Sequence, residues 1–277
     1  MNSKREVVNS GDDQALKSCC ANVYQSDCAR LLLGESFHPG GTMLTAYLGS
    51  MLHLRAGQRV LDVAAGQGTS AIHLAQCFGC SVLGIEYSRT AVENATQAAQ
   101  AAAVAQLVTF QQGDAEQLPV TAESFDAIIC ECAFCTFPNK TMAASEFWRV
   151  LKPGGRVGLS DLTRKDDIPD DLQGLLAWIA CIADAQPLER YAQYLMDAGL
   201  AVQRIEPHNE ALSDMVRDIQ GKLLGTELLV KLKKLQLPTE IDFDQAKKMA
   251  KAAATAIQAQ KFGYAIIIAE KQASIIT

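Results

Sequence analysis

The chain has 277 residues, 49% of them hydrophobic and 20% charged; that balance supports a globular protein with a sizeable core and excludes extended disorder. A formal net charge of −6 and a pI near 5.3 exclude a general nucleic-acid binder, because displacing counterions from phosphates takes clustered lysine and arginine. A small-molecule partner and no nucleic acid are expected.

Residues 1–17 are polar, with Asp12, Asp13 and Gln14 where a signal peptide would be apolar. No apolar run approaches the roughly 20 residues of a membrane-spanning helix, so a cytoplasmic location and no membrane partner are expected. Over 13–33, Leu16, Cys20, Val23, Tyr24, Cys28 and Leu31 recur at three- and four-residue spacing, which predicts an amphipathic helix. His38-Pro39-Gly40-Gly41 breaks the chain, and Thr42 is placed to cap a second helix reaching Leu54. From Gly57 onward the pattern alternates. Strands are predicted over 60–63, 81–86, 108–112, 125–130 and 156–161, with helices between them ending near 78, 105 and 151. Such alternation indicates right-handed βαβ crossovers and a parallel sheet. Beyond 165, helices are predicted over 170–185, 189–198, 211–235 and 242–259, with two closing strands at 202–206 and 264–270.

The fold expected is therefore α/β and Rossmann-like. It comprises an N-terminal helical lid (1–56), a nucleotide-type core (57–165) and a helical cap carrying the last two strands (166–277), all forming one structural unit.

Motifs within the core sharpen this reading. Val60-Leu61-Asp62-Val63-Ala64-Ala65-Gly66-Gln67-Gly68-Thr69 runs from a strand through a glycine turn into a helix, where a glycine backbone approaches a ligand more closely than any side chain allows. Glu86 ends the next strand at the offset of a ribose-binding acid, followed by Tyr87. Gly113-Asp114-Ala115, the strand led by Phe125-Asp126 and the turn Lys152-Pro153-Gly154-Gly155 follow in order. A dinucleotide oxidoreductase normally carries a third glycine where Ala71 stands.

Together these motifs resemble those of class I S-adenosylmethionine (SAM)-dependent methyltransferases. The resemblance implies a seven-stranded sheet, SAM as methyl donor with S-adenosylhomocysteine as product, and cofactor contacts from Asp62, Ala64, Gly66, Gly68, Glu86, Tyr87, Asp114, Ala115 and Glu131. Asp62 would serve the methionine ammonium, Glu86 the ribose, and Asp114 with Ala115 the adenine.

In open α/β sheets ligands lie beyond the carboxyl ends of the strands, so the segment from Glu131 to Lys140, with Cys132 and Cys135, faces the reaction centre. The stretch 132–161, with Pro138, Lys140, Glu146 and Ser160-Asp161, is similar to arsenite methyltransferases. This similarity implies Cys132 and Cys181 as arsenic-binding thiols, with Cys20 of the Cys19-Cys20 pair as third ligand. Three thiolates suit a soft trivalent centre. The layout equally resembles ubiquinone/menaquinone-type C-methyltransferases, for which a quinone-like or other small organic acceptor would call on His38 or Glu131 as base. A protein of the same fold that binds a metalloid without turnover is a third alternative. Cys77, Cys80 and Cys130 are expected to pack in the core, and a structural metal site is not expected.

Overall fold

The computed structural model describes residues 17, 34, 37–165, 182, 184–236 and 242–273. Seven strands form one sheet: β1 (Arg59–Val63), β2 (Ser81–Glu86), β3 (Val108–Gln112), β4 (Phe125–Glu131), β5 (Leu151–Arg164), β6 (Leu200–Pro207) and β7 (Phe262–Lys271). Their order is β3-β2-β1-β4-β5-β7-β6. The first five pair in parallel, while β7 runs antiparallel to both β5 and β6. The helices between parallel strands follow from the crossover each such pair requires: α2 (Thr69–Phe78), α3 (Arg89–Ala101) and α4 (Lys140–Val150). Preceding β1 is α1 (Gly41–Met51); later come α5 (Leu188–Asp197), α6 (Asn209–Lys231) and α7 (Phe243–Gln258).

A parallel strand covered on both faces is apolar almost throughout. Val60, Leu61 and Val63 of β1 and Ile128 and Ile129 of β4 are accordingly buried, and so are Tyr264 to Ala269 of the antiparallel β7, which lies between β5 and β6. Each fully buried branched side chain contributes about 1.5–3 kcal/mol. Asp62 interrupts the run in β1 and is buried with it, which marks the strand's carboxyl end as a place where polarity serves something other than packing.

Several expectations are corrected. Thr42 caps nothing: α1 starts at Gly41 behind Gly40, which has a φ of 79° and no side-chain cap. Strand β5 begins at Leu151 rather than 156, because the Lys-Pro-Gly-Gly turn is absorbed as a register irregularity against β4. Cys77 is exposed on α2, whereas Cys80 and Cys130 are buried as expected. Of the helix anticipated over 13–33 only Lys17 is described, and most of the segment 170–185 also lies outside the described residues. α6 and α7 lie between β6 and β7 in the chain.

Candidate functional site

A cavity opens at the carboxyl ends of β1, β2 and β4, lined by Asp62, Ala64, Gly66, Glu86, Tyr87, Asp114, Ala115, Glu131, Cys132 and His38, among others. Its floor is the loop after β1. Ala64, Gly66 and Gly68 all have positive φ, at 62°, 54° and 80°. A Cβ on Gly68 would sit 2.4 Å from the Phe110 ring, whereas one on Gly66 meets no protein atom within 4 Å. Gly68 is thus a packing requirement, and Gly66 keeps the cavity open. Helix α2 starts directly behind Gly68 without a side-chain cap, and the Ala71 N–H of its first turn donates to Asp62.

Glu86 holds this loop. Its Oε2 accepts the Gly66 N–H and its Oε1 the Ser88 N–H, both at 2.9 Å. Burial raises its pKa, and these backbone donors oppose the rise. Asp62 is 3% exposed; burial first, then repulsion from Glu131 and Glu86, pushes its carboxyl well above the ordinary range. Its Oδ2 and the Oε1 of Glu131 are buried without a hydrogen-bond partner among the described residues. Two unsatisfied carboxylate oxygens in one cavity form a site for a cationic ligand.

The other carboxylate oxygen of Glu131, Oε2, is tied down. It accepts from Ser70 Oγ at 2.6 Å and Thr45 Oγ1 at 3.0 Å, and lies 3.6 Å from His38 Nε2 with both side chains almost fully buried. The two hydroxyls also reach Nε2, at 3.3 Å from Thr45 and 3.4 Å from Ser70. On the far side of the ring, Nδ1 is 3.2 Å from Pro39 O. A carbonyl only accepts, so the neutral tautomer with its hydrogen on Nδ1 satisfies this contact and leaves Nε2 able to take a proton. His38 and Glu131, both expected at the site from the sequence, are thereby brought together. Thr45 and Ser70 were not anticipated.

At the opposite end, Asp114 Oδ1 accepts the Glu116 N–H at 2.9 Å, and Oδ2 pairs with Lys17 at 2.8 Å. Lys17 also meets Glu116 at 2.6 Å; burial works against its charge, but these two acids win and raise its pKa. This cation is a second feature the sequence reading missed. Cys132 stands on the cavity wall with a φ of 52°, its N–H donating to Ser160 O at 2.7 Å. Asp161 Oδ2 accepts the Cys135 N–H at 2.8 Å, fixing the turn behind it. Cys135 is fully buried. Cys20 and Cys181 lie outside the described residues, and no metal-ligand cluster occurs among the described ones.

Residues 61–159, the stretch that holds the glycine loop and the strand-end acids, match the family model described as a methyltransferase domain. A 27-O-demethylrifamycin SV methyltransferase of Amycolatopsis mediterranei is 31% identical over 196 residues, covering 65% of this chain and 72% of that one. The chain belongs to the methyltransferase-domain family. This methyltransferase is an enzyme whose methyl donor is SAM. It is also 31% identical over 158 residues to an arsenite methyltransferase of Halobacterium salinarum, spanning 56% of this chain and 40% of that one. A solved structure of a putative sarcosine dimethylglycine methyltransferase from Galdieria sulphuraria shares the fold, with a TM-score of 0.72 at 22% identity over 83% of this chain and 85% of that one.

The cavity of this methyltransferase fits that donor. SAM carries an ammonium and a sulfonium, and the walls offer the open oxygens of Asp62 and Glu131. Glu86, Tyr87, Asp114 and Ala115, expected from the resemblance to serve the ribose and the adenine, line the same cavity.

Proposed function

We propose that this methyltransferase transfers the methyl group of SAM to a hydroxyl of a small organic acceptor, with the His38–Glu131 pair taking the hydroxyl proton. One observation carries the reading: a buried imidazole whose Nδ1 faces Pro39 O and whose Nε2 faces the Glu131 carboxylate, at the wall of the donor cavity. When bound, SAM supplies an electrophilic methyl on a sulfonium. A neutral hydroxyl is a weak nucleophile, so attack on carbon needs its proton removed as the C–O bond forms and the C–S bond breaks. His38 Nε2 takes that proton. Glu131, 3.6 Å away, stabilises the imidazolium, and Ser70 and Thr45 hold the carboxylate in place. Asp62 and the open oxygen of Glu131 orient the donor's cationic end, and the apolar walls exclude water. The similarity to an O-demethylrifamycin methyltransferase supports a hydroxyl acceptor.

A second reading, trivalent arsenic as acceptor, is favoured by Cys132 on the cavity wall and by the similarity to an arsenite methyltransferase. It needs the thiols of Cys20 or Cys181 to join Cys132. Incubating the reduced protein with SAM against a panel of phenols, hydroquinones and hydroxylated polyketides, and separately with arsenite and glutathione, decides between them. S-adenosylhomocysteine and an O-methylated product with members of the panel support the hydroxyl reading. Methylated arsenic alone overturns it.

A further inference from the structure

Helix α6 has two apolar faces, and only one of them is covered. Leu212, Leu223 and Thr226 are buried, on the side that packs against α7 and β7. Leu224, Leu228 and Leu232, each four residues from the next and so aligned along one stripe, are 58%, 57% and 55% exposed. Leu229 beside them is 43% exposed. Gly221 and Gly225 lie in the same stripe and face open space. An apolar stripe along an exposed helix marks a binding surface rather than chance exposure.

Charge around the stripe selects the partner. Lys231 lies at its edge, and Lys233 and Lys234 follow at the helix end. Glu227 is engaged by Lys231 at 2.7 Å and by Lys247 at 2.8 Å, and no described acid pairs with Lys233 or Lys234 at the stripe's end. Lys233 and Lys234 make the helix end basic on a chain of net charge −6.

We infer that the exposed face of α6 is a docking surface for an anionic lipid bilayer, with Leu224, Leu228 and Leu232 entering the headgroup boundary and Lys233 and Lys234 meeting lipid phosphates. A helix lying in the interface needs an apolar face and flanking cations, not spanning length. The expectation of no membrane partner rested on the missing span, and among the described residues no helix is long and apolar enough to cross. Lys222, within a turn of Leu224, abuts Gly34, four residues before His38. The stripe therefore begins beside the segment leading to the site, and an acceptor partitioned in the bilayer would reach the cavity from that side.

The test is co-sedimentation of the full chain with phosphatidylcholine vesicles, with and without about 30% phosphatidylglycerol. Binding is expected only to the anionic vesicles, to weaken with salt, and to fall about tenfold or more in Lys233→Gln/Lys234→Gln. It is expected to be lost in Leu224→Ser/Leu228→Ser/Leu232→Ser, whose SAM affinity stays that of the wild type. Absence of vesicle binding overturns the inference. So does a dimer in light scattering that the triple serine variant dissociates, which would make the stripe a protein interface.

Discussion

His38 Nε2 and Glu131 Oε2 lie 3.6 Å apart inside the cavity, and the two hydroxyls that brace the carboxylate, from Thr45 and Ser70, come from different helices. The amide of Glu131→Gln keeps the shape but has no negative charge with which to stabilise an imidazolium. Turnover of a hydroxyl acceptor is expected to fall by about 10²-fold or more with the protein still folded. Stopped assays of S-adenosylhomocysteine release beside circular dichroism check this.

The glycine loop separates ligand space from packing. Gly66→Ala is expected to fold, at a cost of about 1–2 kcal/mol for a side chain in the left-handed region, and to lose SAM affinity because its methyl group enters the cavity. Gly68→Ala adds a 2.4 Å approach to Phe110 and is expected to lower the melting temperature much further. Thermal unfolding and calorimetric SAM titration of both variants distinguish the two roles.

Asp62 is held above its ordinary range chiefly by burial. Folding without ligand therefore takes up a proton at this group, and stability from it falls as pH rises through the unfolded value toward the raised one. Asp62→Asn removes that dependence. Without ligand, the variant is expected to melt a few degrees above the wild type at pH 7.5, with the gap closing toward pH 4, and to bind SAM at least tenfold more weakly. Melting curves across pH with and without SAM measure both effects.

Cys132 divides the two acceptor readings. Cys132→Ser is expected to leave methylation of an organic hydroxyl within about twofold of wild type. Complete loss on an organic acceptor would require the thiol in the hydroxyl chemistry itself; complete loss confined to arsenite would support the thiolate reading.

Much of this was legible in the chain. Strands 81–86 and 108–112 have the bounds read from the sequence, because each short run is followed by the turn that ends it. β5 was read too short since a Lys-Pro-Gly-Gly turn signals a break locally, and only pairing with β4 carries the ladder across it. Gly66, Glu86 and Asp114 were legible because strand ends in this topology converge on one edge. Thr45, Ser70 and Lys17 were not. They meet their acidic partners across 86, 61 and 97 residues of sequence, and a lone hydroxyl or lysine on a helix has no spacing that signals such a contact.

The most direct measurement is turnover of a hydroxyl acceptor by His38→Ala, with and without added imidazole, beside its SAM affinity. A loss of about 10²-fold or more that imidazole restores in part, with SAM affinity within about threefold of wild type, is the expected result. Turnover close to wild type without imidazole would contradict a proton-accepting role for the His38–Glu131 pair.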